Sequence, residues 1–171
     1  MQISVKRMLR TRGAVVAGIT ALAVGLALLA GRALMLLIAE DSFASFGFMV
    51  LTGIVPFTVG YFLGLWLVAP VTEQLGIGHV ITRSVLATGI GATLWFVVLG
   101  LTGVALWLTS FHILDPSAVL GEVSAQLGYA LRESLTALVI LLPLGVLGGV
   151  LLWLWRTANP AEHHIEGLID V

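Results

Sequence analysis

A charge-free run, Ser134–Trp155, reads SLTALVILLPLGVLGGVLLWLW. A membrane-spanning α-helix needs about 20 apolar residues, because it rises about 1.5 Å per residue and must cross about 30 Å of hydrocarbon. The run reaches that length without one charged side chain. It therefore predicts a helix that crosses a membrane.

Three earlier segments have the same character, so we expect four spans, with approximate limits 14–39, 46–69, 84–109 and 134–155. The composition agrees, since 59% of the 171 residues are hydrophobic and 10% are charged, against about 25% charged in soluble domains. Mean hydropathy is +1.10. The sequence predicts an all-α integral membrane protein, a four-transmembrane-helix bundle over residues 14–157.

The positions of the positive charges predict the orientation. Four of the eight Lys and Arg residues lie in segment 1–13, Arg83 lies in the middle loop and Arg156 follows the last span, whereas the loop after the first span has none and the loop before the fourth has only Arg132, next to that span. By the positive-inside rule both termini face the cytoplasm. Segment 1–13 is then a basic cytoplasmic N-terminus and 158–171 an acidic cytoplasmic tail of a multi-pass protein in the cell membrane. One Lys against seven Arg is typical of a GC-rich prokaryotic genome.

The loop before the fourth span carries a helix signal of its own. Asp115 followed by Pro116 is an N-cap with proline at the first helical position. Apolar and polar residues then alternate at helical spacing. We expect a short amphipathic helix over about 116–128 on the outer surface, with Gly128 as a joint to the fourth span.

The two halves of the chain resemble each other. Shifted by 71 residues Arg12 falls on Arg83, and shifted by 87 Pro56 falls on Pro143, among other matches. This pattern predicts a tandem repeat of two helical hairpins, related by an axis along the membrane normal. The alternative is chance matching between apolar helices of similar composition.

Small residues mark the faces on which helices approach each other in lipid. The predicted packing glycines are Gly18, Gly25, Gly60, Gly64, Gly89, Gly100, Gly103, Gly145 and Gly149. Two mid-span prolines, Pro56 and Pro143, each remove a backbone hydrogen bond and are candidate hinges. Close packing of short helices and a translocation path with paired hinges both fit these residues.

Three charges are candidate functional residues. Arg32 shares a helix face with Gly18 and Gly25, which predicts that it points into the bundle, where charge is costly and usually paired. Its long side chain can instead reach the outer headgroups. Arg132 and Glu133 precede the fourth span, and Glu133 is one of several carboxylates on the same side of the membrane as Arg32.

The sequence contains no motif that indicates another class of function. The chain has no cysteine, which excludes thiolate catalysis and cysteine-ligated metals. No histidine pair has ligand spacing, no catalytic motif occurs, and a net charge of −1 gives no basic field for nucleic acid. We therefore expect no enzyme, no metal site and no cofactor.

Two functions remain. The leading interpretation is a non-enzymatic membrane protein that acts through helix packing in the lipid bilayer, as an accessory or assembly subunit with a protein partner or as a homo-oligomer. The alternative is a small transporter or channel subunit with a path between the two hairpin repeats. Six threonines at membrane depth are the main polar candidates for such a path: Thr20, Thr52, Thr58, Thr88, Thr93 and Thr102.

Overall fold

The computed structural model describes residues 12–39, 43–72, 74–110 and 116–159, and the regular secondary structure in these ranges is all helical. The basic segment 1–11, the N-cap Asp115 and the acidic tail from Pro160 onward lie outside these ranges. The predictions made for them are therefore not addressed by the structure.

The first span is helix α1, Arg12–Ala39. The second combines α2 (Phe43–Met49), a π-helical segment π1 (Val50–Ile54), α3 (Val55–Leu63) and a second π-helical segment π2 (Gly64–Val68). The third and fourth are α4, Ile77–Ser110, and α5, Pro116–Ala158. All four are long and apolar enough to cross a membrane, which confirms the predicted four-helix, multi-pass architecture.

The last helix differs from the prediction of a separate outer helix. It begins at Pro116, as the proline signal predicts, and then continues without a break through Gly128 to Ala158. A glycine inside a helix costs only about 1 kcal/mol relative to alanine. Packing against α4 compensates for that cost, because Leu127 lies against Gly100 and Gln126 against Gly103. The region 116–128 is thus the first part of α5.

The third span also begins earlier than predicted, at Ile77 rather than near residue 84. The added turns contain His79, Thr82 and Arg83, polar residues that a hydropathy argument excludes from a span. Val80 in the same turns is fully buried. Packing of one face against the bundle therefore extends the helix beyond its apolar run.

Both π-helical segments lie in the second span. Within π1 the Val55 N–H bonds the Val50 carbonyl, and at the end of π2 the Ala69 N–H bonds the Gly64 carbonyl, each five residues back. Pro56 lies two residues after the end of π1 and has no N–H to donate, so the α-helical bond to residue 52 is absent. Proline and π-bulges are recognised causes of irregular helices.

The centre of the bundle is aromatic. Phe57 and Tyr61 are fully buried and stack with their ring centroids 6.1 Å apart, and Trp95 of α4 meets Phe57 edge-on at 6.4 Å. The Tyr61 hydroxyl donates a 2.6 Å hydrogen bond to the Gly145 carbonyl of α5. These side chains join the second, third and fourth spans. The α4–α5 pair forms the most extensive helix contact, and α1 lies against this three-helix core.

The connection between the second and third spans is held by two arginines. Arg83 at the start of α4 donates to the Pro70 carbonyl, and Arg156 at the end of α5 donates to the Val71 carbonyl. Val71 itself is fully buried. Both guanidinium groups therefore lie at the same end of the bundle.

Candidate functional site

The tightest helix contacts are made at glycines. A Cβ placed on Gly60 would lie 2.8 Å from the Gly91 Cα, and one on Gly64 would lie 2.7 Å from the Ala87 Cα. Both distances are shorter than any carbon–carbon contact, so only a glycine lets the second span approach α4 this closely. Gly25 makes the corresponding contact between α1 and Thr58.

The contact between α4 and α5 also depends on glycines. A Cβ on Gly145 would lie 2.1 Å from the Thr88 Oγ1, and one on Gly149 would lie 1.8 Å from the Ser84 Oγ. Ser84 and Thr88 are buried, and each donates its hydroxyl to the carbonyl four residues earlier in α4. Polar side chains thereby pack at a dry interface with their donors satisfied.

The remaining predicted glycines differ in how closely they approach a neighbouring helix. A Cβ placed on Gly100 or Gly103 would lie 3.2 Å or 3.1 Å from an α5 side chain, and one on Gly18 would make only an ordinary contact with Phe62 at 3.7 Å. Gly89 differs from the prediction, because nothing lies within 4 Å of its Cβ position. At three glycines that the sequence analysis missed, an added Cβ would lie within 3 Å of a neighbouring atom: Gly53, Gly91 and Gly148.

The two prolines occupy different settings. Pro56 is buried and follows the π1 segment, whereas Pro143 is exposed inside the unbroken helix α5. The hinge roles and the hairpin repeat stay predictions, and this difference gives them no support.

Hydroxyl groups of the six candidate path threonines all turn back onto their own helices. Each donates to the backbone carbonyl four residues earlier, at distances of 2.7 to 2.9 Å. Their exposure ranges from buried at Thr52 and Thr88 to exposed at Thr93. They do not form a common polar surface.

One cavity, with a volume of about 450 Å³, is lined by both Arg32 and Glu133. We call it the Arg32 cavity. Its lining comes from α1, the second span, α4 and α5: Ala27, Leu28, Gly31, Arg32, Met35, Met49, Ile54, Trp95, Glu133, Thr136, Ala137, Ile140 and Leu141. The structure thus brings two of the three candidate charges to one cavity. Arg132, exposed on α5, is not among its lining residues.

Trp95 forms part of the wall of the Arg32 cavity, and its side chain is 8% exposed. The nitrogen edge of its indole ring faces Gly53 of π1. Among the described residues, the buried Nε1 atoms of Trp95 and Trp153 have no hydrogen-bond partner, although buried indole N–H groups usually find an acceptor. The sequence analysis did not select Trp95, because a single tryptophan inside an apolar span carries no local signal.

A second cavity continues the same seam between α1 and α5. It has a volume of about 410 Å³ and is lined by successive turns of the two helices, including Val16, Ile19 and Ala23 of α1 and Leu147 and Leu151 of α5. We call it the apolar cavity. The α1–α5 seam therefore has a polar part at Arg32 and an apolar part nearer the start of α1.

Metal-binding clusters are absent among the residues described, since no three His, Asp or Glu side chains lie close enough together. Comparisons of the chain with protein-family models, with curated proteins and with solved structures give no match. Functional inference therefore rests on the geometry of the helices and the two cavities.

Proposed function

We propose that the chain is a non-enzymatic multi-pass membrane protein that acts through helix packing, as an accessory or assembly subunit or as a homo-oligomer. The observation that carries this proposal is a small-residue face on α5 that the chain itself leaves uncovered. Gly121, Ala125 and Gly128 are exposed and follow each other at four and three residues, so they share one face. Nothing lies within 4 Å of the Cβ positions of either glycine.

In the structure this face belongs to the fourth candidate span, Val119–Ala158. In lipid, small-residue faces are where helices associate, because there is no hydrophobic driving force between helices and close backbone approach supplies the attraction. Most other glycines in the spans are already used in contacts within the chain. The α5 face is thus suited to a helix from another protein or from a second copy.

Orientation and location belong to the same proposal. Arg83 and Arg156 lie at one end of the bundle, together with the connection they bond. The positive-inside rule assigns that end to the cytoplasm. Both termini would then be cytoplasmic, in the cell membrane of a prokaryote.

The alternative, a transport path between the two hairpins, has weaker support. Phe57, Tyr61 and Leu65 fill the region where the second span meets α4 and α5, and the candidate threonines bond their own helices. A conduction path needs several polar groups directed at one channel.

The test compares the wild-type protein with the double variant Gly121→Leu, Gly128→Leu. Both side chains project into open space, so the variant should unfold at the same temperature as the wild type in detergent. The matched control is Gly89→Leu on α4, which is equally open. Native mass spectrometry after gentle purification should find the wild type and the control in a complex, with a second polypeptide or with itself, and the double variant alone. A monomeric wild type, or a double variant that keeps its complex, would refute the proposal.

A further inference from the structure

The α1–α5 seam matches a phospholipid in the order of its groups, with charged side chains at one end and apolar side chains along the rest. Its polar part holds a cation and an anion, and its apolar part continues along the same two helices. From Arg32 to Val16 the seam runs roughly 24 Å at 1.5 Å per residue. We propose that it binds one zwitterionic phospholipid of the ethanolamine class.

The charges select the headgroup. The Arg32 guanidinium is suited to a phosphate, because its fixed donors match phosphate oxygens. The Glu133 carboxylate accepts hydrogen bonds from a primary ammonium, which a phosphoethanolamine group carries beside its phosphate. Phosphatidylglycerol carries the same phosphate for Arg32 but ends in a neutral glycerol, so it has no ammonium group to offset the charge of Glu133. A choline group has no N–H to donate, and quaternary ammonium is usually held in aromatic cages, whereas Trp95 is the one aromatic residue lining this cavity.

The rest of the seam accommodates the remainder of the lipid. The apolar cavity then takes one acyl chain, and Gly31, which has nothing within 4 Å of its Cβ position, keeps the polar cavity open.

The depth of Arg32 is compatible with a lipid headgroup. Helix α1 has 28 residues, a length of about 42 Å, which exceeds the hydrocarbon thickness of about 30 Å. Arg32 lies seven residues before Ala39, or about 10 Å from the end of the helix. This places the guanidinium close to the boundary between hydrocarbon and headgroups, where snorkelling side chains meet phosphates.

The experiment measures lipid binding by delipidated protein in detergent, using native mass spectrometry with phosphatidylethanolamine, phosphatidylglycerol and phosphatidylcholine of identical acyl chains. The wild type should bind one phosphatidylethanolamine at least about tenfold more tightly than either other lipid. Arg32→Gln should remove that advantage. Glu133→Gln should weaken phosphatidylethanolamine and strengthen phosphatidylglycerol, which a purely structural role would not do.

Two further variants test whether lipid binding depends on the Arg32 cavity. Gly31→Leu adds a side chain at the edge of the cavity, where the new Cβ has nothing within 4 Å, so it should lower binding of phosphatidylethanolamine at least about tenfold while the unfolding temperature stays the same. Arg132→Gln changes the charge by the same amount as Arg32→Gln but lies outside the cavity, and it should bind like the wild type. Equal binding of the three lipids by the wild type, or equal losses in Arg32→Gln and Arg132→Gln, would overturn the proposal.

Free phosphoethanolamine separates the headgroup from the acyl chain. Because the apolar cavity contributes only when a chain is present, the soluble compound should bind at least about tenfold more weakly than the lipid. Equal affinity would refute the assignment of the apolar cavity.

Discussion

One methyl group added at Gly149 should push α4 and α5 apart. Its Cβ would lie 1.8 Å from the Ser84 Oγ and 2.8 Å from the Ser84 Cβ, whereas carbon and oxygen in contact need about 3.3–3.6 Å. The helices would have to separate by roughly 1.5 Å to relieve the overlap. Overpacking of this kind costs about 1–3 kcal/mol, so Gly149→Ala should lower the free energy of unfolding by that amount.

The matched control is Gly89→Ala, on a helix face where the new methyl group meets nothing. There the substitution should raise stability by about 1 kcal/mol, because alanine favours a helix over glycine by that much. The two alanine variants should therefore differ by about 2–4 kcal/mol.

A rescue variant tests the cause. In Gly149→Ala combined with Ser84→Gly, the hydroxyl and Cβ are gone and the nearest remaining atom is the residue-84 Cα at 3.7 Å. The double variant should recover most of the lost stability. The assay is reversible unfolding in mixed micelles, followed by circular dichroism. If Gly149→Ala matches Gly89→Ala, or if Ser84→Gly gives no recovery, the close α4–α5 contact is refuted.

Two further predictions address the core and the topology. Tyr61→Phe removes the buried hydrogen bond to the Gly145 carbonyl and should lower the free energy of unfolding by about 1 kcal/mol. The control is Tyr129→Phe, whose side chain is exposed and which should change that free energy little. Equal effects of the two variants in the same unfolding assay would contradict the Tyr61 hydrogen bond. Since the chain has no cysteine, single cysteines introduced at Ser117 and Gln74 report on orientation. An impermeant thiol reagent added to intact cells should label Ser117→Cys and not Gln74→Cys. The opposite labelling pattern would reverse the proposed topology.

The number of helices and their approximate limits follow from the sequence because span length is set by the thickness of the bilayer. The exact ends of the helices do not follow from the sequence. His79 and Arg83 lie in α4 because neighbouring residues pack, and Gly128 stays helical because Leu127 and Gln126 fit against glycines of α4. Hydropathy carries no information about such contacts.

The candidate site was predictable only in part. Glu133 was one of several carboxylates on the Arg32 side, and choosing among them required the register between α1 and α5, which no local pattern encodes. The π segments are a further obstacle. A bond five residues back rather than four adds a residue to the turn, which rotates later side chains by about 100° relative to a continuous α-helix. Face assignments made before π1 therefore do not extend to Gly60 and Gly64.

The bond between Arg156 and the Val71 carbonyl has a consequence for biogenesis. The two residues are 85 positions apart, and a chain is synthesised from its N-terminus. The connection after the second span thus leaves the ribosome long before the guanidinium that holds it. Until then Arg83 is the guanidinium that bonds that connection. Insertion of the fourth span adds Arg156 as a second donor, so the connection becomes bonded to both α4 and α5.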